Sequence, residues 1–76
     1  MIWLPLESKM LSAVAYDAPK QILHLRFRKT GDVYRYFEFP ATEYEAFLNA
    51  ESRGRFFLAH IRDHFPYERL TRLHAA

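Results

Sequence analysis

The ten residues Gly31-Asp32-Val33-Tyr34-Arg35-Tyr36-Phe37-Glu38-Phe39-Pro40 combine a turn, a strand and a strand end. Gly31 can adopt a positive φ and therefore suits a tight turn ahead of the strand. Residues 33–39 are rich in β-branched and aromatic side chains, which are typical of strands. Pro40 has no backbone N–H to donate to a sheet, so we expect the strand to end there.

The segment before this stretch predicts a second strand. Residues 21–28 alternate with a period of two, so their apolar and basic side chains fall on opposite faces. The short loop at Gly31 predicts that 21–28 and 33–39 pair antiparallel. A third strand is expected within residues 9–17, joined to 21–28 by a turn at 17–20 that contains Asp and Pro.

The phase of the strand 33–39 is ambiguous, because Tyr34 and Tyr36 share one face while Arg35 and Phe37 share the other. We predict that the tyrosines point inward, since this places Arg35 beside the other arginines. Phe39 is then out of phase, which indicates a bulge or the strand end. The outer face would carry His24, Arg26, Arg28, Arg35, Ile22 and Phe37.

Two helices are expected after Pro40. Thr42 followed by Glu45 has the spacing of a capping box, which predicts a first helix over residues 43–50. Ser52 is a second candidate cap, and apolar side chains recur at helical spacing from there to residue 65. Gly54, in the first turn of that helix, permits the close approach of another backbone.

This order of elements predicts an α+β fold, a three-stranded antiparallel meander followed by two helices packed on one face (βββαα). We expect residues 1–7 to form an apolar N-terminal arm that lies on the domain or on a neighbouring copy. A single domain would span residues 8–70, and residues 71–76 would form a frayed tail. The second sheet face would then be left open.

Composition narrows the classes of function. The chain has 76 residues, no cysteine and a net charge of +2, so disulfides and thiolate metal sites are excluded and nucleic-acid binding cannot be inferred from charge alone. Eight of the eleven basic residues are arginine, a side chain suited to phosphate recognition and to stacking on planar rings. The apolar N-terminal segment has neither a basic region nor a long hydrophobic run, so we expect a cytoplasmic protein.

Eight short motifs follow one another along the chain. They are Ser8, Val14-Ala15-Tyr16-Asp17, Gly31, Tyr34-Arg35-Tyr36, Phe39-Pro40, Ser52-Arg53-Gly54, Phe56-Phe57 and Ile61-Arg62. With these motifs the chain resembles the KTSC domain over residues 8–69. Such domains occur as free-standing small bacterial proteins and at the C-terminus of some lysyl-tRNA synthetases, and the resemblance implies RNA binding as a hypothesis. Two positions depart from the family pattern, Lys9 in place of a second serine and Leu58 in place of asparagine.

Two kinds of binding remain open. RNA, either tRNA or single-stranded, would bind arginines interleaved with an aromatic ring on the open sheet face, and basic residues of the second helix would extend this surface. The alternative is a protein partner or a homodimer held by the apolar arm and the apolar part of that face. The nucleic-acid-binding candidates are Arg26, Arg28, Arg35, His24, Phe37, Arg53, Arg55 and Arg62. Tyr34, Tyr36, Gly31, Pro40, Ser52 and Gly54 are interpreted as structural members of the family motif.

The remaining sequence patterns argue against a metal site and against catalysis. His60 and His64 share a helical face at the spacing of a two-ligand metal site, but no third ligand completes a shell, so we predict no metal. The chain has no glycine-rich phosphate loop and no nucleophile–base motif, and a domain of this size has little room for a substrate pocket. We therefore predict no enzymatic activity, cofactor, small-molecule substrate or membrane association.

Overall fold

A computed structural model describes residues 1–70 of the chain as a sheet covered on one face by helices. The strands β1 to β5 span Leu4–Pro5, Leu11–Asp17, Ile22–Phe27, Val33–Tyr36 and Tyr67–Leu70. Between the last two strands lie α1, Ala41–Asn49, and α2, Arg53–Phe56, which continues into a π-helical segment, Phe57–Ile61. The strands are antiparallel and their order in the sheet, β1-β2-β3-β4-β5, is their order along the chain.

The α+β class and the antiparallel meander are confirmed, but three strands was an undercount. The predicted arm contains β1, which pairs with Ala13 and Val14 of β2. The end of the predicted domain, for which no strand was expected, forms β5, which pairs with β4 so that Tyr67 lies opposite Tyr36. Both missed strands are short edge strands that depend on a longer neighbour for their hydrogen bonds. Residues 71–76, expected to fray, lie outside the described part of the chain.

The inner face of the sheet forms the core, and the inward orientation predicted for Tyr36 is confirmed. Tyr36 is 3% exposed and lies opposite the fully buried Leu23. Tyr34, opposite Leu25, is only half-buried. The difference arises because the helices cover the middle of the sheet and leave Tyr34 close to an open surface.

The first helix is attached to the sheet by aromatic side chains. Phe47 is fully buried, and the ring of Tyr44 stacks on that of Tyr16 with centroids 4.5 Å apart. The Tyr16 hydroxyl donates a hydrogen bond of 2.6 Å to the carbonyl oxygen of Phe39. Desolvation raises the pKa of Tyr16 above its usual value, which keeps the hydroxyl in its donor form.

Strand β4 begins where the sequence predicts, but it ends at Tyr36, three residues before the predicted end at Phe39. Gly31 has φ 76°, the positive value predicted for the turn before the strand. The strand ends at Tyr36, and Glu38 adopts φ 57°, which turns the chain so that Phe39 enters the core with no exposed surface. The out-of-phase Phe39 therefore marks a strand end.

The predicted capping box at Thr42 and Glu45 is wrong. Helix α1 begins at Ala41, and its N-cap is Pro40, which makes no side-chain capping hydrogen bond. Instead the carbonyl oxygen of Pro40 accepts from the backbone N–H groups of Glu43 and Tyr44. Proline at this position sets an extended entry into the helix, so the helix starts earlier than the capping pattern indicates.

The second cap, Ser52, is confirmed, since its hydroxyl oxygen accepts from the Arg55 N–H at 3.2 Å. A helix up to residue 65 was expected, but the helical segment ends at Ile61, where the N–H of Arg62 bonds the carbonyl of Phe57. Asp63 then adopts φ 66°, and the chain reverses toward β5. Aspartate tolerates this left-handed conformation better than most residues, a signal that periodicity alone does not contain.

Gly54 was expected to permit the close approach of another backbone, but its nearest neighbours are side-chain atoms. A Cβ built at Gly54 would lie 3.6 Å from Oγ of Ser8 and 3.7 Å from Cβ of Met10, which are ordinary contact distances. The space beside Gly54 would therefore accept a methyl group.

Candidate functional site

The outer face of the sheet carries Trp3, which was predicted as part of the apolar arm and not among the nucleic-acid-binding residues. The guanidinium carbon of Arg26 lies 4.9 Å from the centroid of the Trp3 ring, within the range of a cation–π contact. The Trp3 ring also meets His24 edge to face, with centroids 6.2 Å apart. Trp3 is half-buried and Arg26 exposed, so a cation and an aromatic ring are presented together.

His24 lies beneath these groups and is 8% exposed. Desolvation is the main cause that lowers its pKa below the usual value, and the positive charge of Arg35 adds to it, against a smaller opposing effect of Asp17. A buried, neutral imidazole is a poor phosphate ligand. His24 therefore packs beneath the outer face, where its ring contacts Trp3, and is largely shielded from solvent.

Arg35 is held by partners on the neighbouring strand and loop. It pairs with Glu68 directly across β4 and β5, and its guanidinium carbon lies 5.9 Å from the ring centroid of Phe37. The two side chains of the ion pair are 34% and 49% exposed, so the pair is partly screened by water. Glu68 thus reduces the positive charge that Arg35 brings to the outer face.

Arg28 holds the N-terminal arm in place. Its guanidinium donates to three backbone carbonyl oxygens, those of Ser8 at 2.8 Å, Leu6 at 2.7 Å and Leu11 at 3.3 Å. Because these carbonyls lie on and beside the arm, the side chain fastens the arm to β2 and β3. Arg28, one of the predicted nucleic-acid contacts, thus has a structural role in holding the arm.

The three arginines predicted around the second helix do not join the outer face. Arg53 donates to the carbonyl oxygen of Leu48 at 2.7 Å and is half-buried, so it links α1 to α2. Arg55 is exposed on α2, and Arg62 is exposed beyond the π-helical segment, 4.0 Å from the carboxylate of Asp63. The candidate set is therefore divided among three parts of the molecule.

On the opposite side of the sheet lies an aromatic depression of about 490 Å³, here called the tyrosine trough. It is lined by Met10, Phe27, Tyr34, Tyr36, Phe57, Leu58, Arg62, Asp63 and Tyr67. The rings of Tyr34 and Tyr36 are near-parallel, 6.3 Å apart, and Tyr67 lies 5.9 Å from each. Tyr67 is 58% exposed, so the trough has one aromatic wall open to solvent.

A second depression, of about 550 Å³, adjoins the trough, because the two share Met10, Phe27 and Tyr34. It is here called the lysine shelf and is further lined by Lys9, Lys29, Thr30, Asp32 and Arg69. Asp32 is 9% exposed, and its carboxylate accepts from Arg69 at 2.8 Å. This bond raises the pKa of Arg69. Lys9 and Lys29 are both exposed.

The tyrosine trough was not predicted as a site, although Tyr34, Tyr36 and Leu58 were each singled out in the sequence. Lys9 and Leu58, the two departures from the family pattern, lie on the lysine shelf and the trough. Tyr67 follows a proline and has the alternation of a strand only over four residues. Recognising that Tyr-Glu-Arg-Leu forms a strand would have placed Tyr67 beside Tyr34 and Tyr36.

Among residues 1–70 there is no group of three histidine, cysteine, aspartate or glutamate side chains arranged to hold a metal ion. His60 lies against the ring of Phe56, with centroids 4.7 Å apart. Within the same part of the chain, no helix is long and apolar enough to cross a membrane.

The fold and surfaces described above define a small two-layer α+β module with an aromatic–basic outer face and an aromatic trough. Comparison with known proteins gives the family. Residues 7–65 match the sequence profile of the KTSC domain, so the chain belongs to the KTSC domain family. The resemblance noted in the sequence is thereby confirmed.

Relatives of two sizes share this similarity. The chain is 37% identical over 65 residues to a lysine–tRNA ligase of a Nostoc species, covering 86% of the chain but only 11% of the ligase. It is 41% identical over 61 residues to a small protein of Tsukamurella paurometabola, covering 80% of the chain and 90% of that protein. The crystal structure of a KTSC domain protein from Yersinia pestis matches with a TM-score of 0.87 at 28% identity, over 92% of this chain and 97% of that one.

Proposed function

We propose that this KTSC domain is a small non-catalytic module that binds RNA, tRNA or single-stranded, through the outer face of its sheet. The observation that carries the proposal is the joint exposure of the Trp3 ring and the Arg26 guanidinium. An aromatic ring stacks on an unpaired base while an adjacent cation meets a phosphate. The similarity to part of a protein named lysine–tRNA ligase supports RNA as the partner, and the cytoplasm as its compartment.

The binding set within this proposal is smaller than the sequence indicated. Trp3 and Arg26 make the primary contacts, and Arg35 with Phe37 extends them toward β5. His24 and Arg28 support the face from below and through the arm. Arg53, Arg55 and Arg62 have no part in it, because they lie elsewhere on the molecule.

The first test is a titration of labelled single-stranded RNA and tRNA at two salt concentrations, about 50 and 200 mM. Two phosphate contacts to a single strand predict that affinity falls about sevenfold over this range. Trp3 is the single tryptophan of the chain, so its fluorescence reports directly on the outer face. We expect RNA to quench it with the same concentration dependence as the labelled ligand.

Arg26→Glu identifies the surface. We expect this variant to lose most RNA affinity at the lower salt concentration, while Lys20→Glu, the same charge change in the exposed β2–β3 turn, has a much smaller effect. Thermal melting checks that both variants are folded. Equal affinity of Arg26→Glu and the parent protein would remove the outer face as the RNA-binding surface.

A second candidate, self-association, is favoured by the exposed apolar end of the N-terminal arm. Met1, Ile2 and Leu4 are 67%, 79% and 41% exposed and lie next to one another in the chain. Light scattering distinguishes the candidates, because an apolar interface holds as salt increases whereas phosphate contacts weaken. A salt-resistant dimer that Ile2→Asp dissociates would support self-association in place of RNA binding.

A further inference from the structure

We propose that the tyrosine trough and the lysine shelf together form a separate binding site for one unpaired nucleotide. The base would lie in the trough against Tyr67 and Tyr34, and the phosphate would lie at Lys9 and Lys29. The site is on the side of the sheet opposite Trp3 and Arg26, so it goes beyond the outer-face function and stands without it.

The aromatic wall is suited to a base. Tyr67 is 58% exposed although it lines the trough, so part of its ring is available to a ligand. Phe27 packs against Tyr34 and Phe57 with ring centroids 5.1 and 5.3 Å apart, which makes the floor rigid. Stacking of a base on such rings is tolerant of sequence, because every base has a π-face.

The trough also offers hydrogen-bonding groups to the edge of a base. Among the hydrogen bonds of residues 1–70, the tyrosine hydroxyl with a protein partner is that of Tyr16. The hydroxyls of Tyr34, Tyr36 and Tyr67 have none in this part of the chain. Burial raises the pKa of Tyr36, so its hydroxyl stays protonated at neutral pH and can donate as well as accept.

Charge distinguishes a nucleotide from other planar ligands. The trough and shelf together are lined by four cations, Lys9, Lys29, Arg62 and Arg69, and by two carboxylates, Asp32 and Asp63. The Arg69 charge is matched by Asp32, and Arg62 lies beside Asp63. The lysines are exposed and have no ion-pair partner among the described residues, which places the uncompensated positive charge on the shelf.

The dimensions agree with this occupant. The trough, at about 490 Å³, lies in the range of small-molecule sites, and the shelf continues from it over Met10, Phe27 and Tyr34. A base in the trough therefore has its phosphate directed along the same surface toward the lysines. A proline-rich peptide is the competing occupant of a tyrosine-lined groove, but it offers the lysines no phosphate.

The experiment is an NMR titration that follows the tyrosine ring signals of the full chain with adenosine 5′-monophosphate, adenosine and ribose 5-phosphate. We expect the monophosphate to shift the signals of Tyr34 and Tyr67, and adenosine to shift them at about tenfold higher concentration. Ribose 5-phosphate alone is expected to perturb Lys9 and Lys29 but not the rings. Tyrosine shifts with a proline-rich decapeptide and none with the nucleotide would overturn the proposal in favour of a peptide groove.

Variants locate the ligand. Tyr67→Ala should weaken binding of the monophosphate about tenfold, and because Tyr67 is exposed on an edge strand we expect the domain to remain folded. Lys29→Glu provides a second test in a surface turn, with Lys20→Glu as the matched control at the other end of β3. Equal affinities of Lys29→Glu and Lys20→Glu would remove the shelf as the phosphate site.

The same titration separates this site from the outer face. Arg26→Glu should leave the tyrosine shifts unchanged, whatever it does to RNA affinity, because Arg26 lies across the sheet. Loss of the shifts in Arg26→Glu, with the fold intact, would show that the nucleotide binds the outer face and not the trough.

Discussion

The outer face of the sheet holds Arg26 and Arg35, and Arg35 is paired with Glu68, whereas the trough and shelf on the other side hold four cations and two carboxylates. The arginines are conspicuous in the sequence because they alternate along neighbouring strands, yet cross-strand pairing neutralises part of their charge. The cations of the trough and shelf come from separate turns and from β5, and they are brought together only by folding. Alternation along a strand thus identifies a face but does not measure its net charge.

The largest expected effect tests whether the inner face holds the core. Tyr36→Ala should lower the free energy of unfolding by about 3–5 kcal/mol, because the ring is 3% exposed and packs against Phe57 and Tyr67. Tyr36→Phe should cost far less, since the hydroxyl has no partner among residues 1–70. Urea denaturation of both variants measures the difference. If Tyr36→Ala were as stable as the parent, the inner face would not be the core.

Arg28→Ala tests whether Arg28 only stabilises the outer face or also contacts RNA there. Loss of three hydrogen bonds from a charged donor to the arm should lower the free energy of unfolding by about 1–2 kcal/mol. RNA affinity measured on the folded variant should stay near that of the parent. A variant of parental stability that no longer bound RNA would return Arg28 to the binding set.

The pH dependence of stability tests the burial of His24. Its pKa is lowered in the folded protein, so the unfolded chain takes up a proton first, near its usual pKa of about 6.5. The stabilisation is therefore complete above that pH and is lost as the pH falls toward the lower folded pKa. Thermal melts from neutral to mildly acidic pH should show this slope, and His24→Gln should flatten it. The exposed His60→Gln serves as the control.

The smallest expected effect, that of Glu68→Gln, distinguishes the outer face from the trough most directly. Glu68→Gln removes the carboxylate that pairs with Arg35, at a cost in stability of about 0.2–1 kcal/mol for so exposed a pair. If RNA binds the outer face, its affinity should increase about two- to threefold at low salt, because one competing negative charge is lost. Binding of the nucleotide in the trough should not change. An increase in the trough alone would reverse the assignment of the surfaces.

The parts of the fold that the sequence predicts are those with a local cause. The alternation of Leu23 and Leu25, the turn at Gly31 and the cap at Ser52 depend on neighbours within a few residues. Strand β5 is short and polar, and its pairing with β4 depends on a segment far away in the chain. The same is true of the surfaces: Trp3 meets His24, and Tyr67 meets Tyr34, only after the sheet has formed.

The sequential order of the strands has a consequence for the dynamics of the domain. The hairpins β2–β3 and β3–β4 close short loops and can form by zipping from their turns, whereas β5 joins β4 only after residues 37–66 have been placed. Amide hydrogen exchange should therefore be faster in β5 than in β3, since an edge strand opens at lower free energy than the centre of the sheet. Such opening would move the Tyr67 ring away from Tyr34, so the shape of the trough depends on the pairing of one short edge strand.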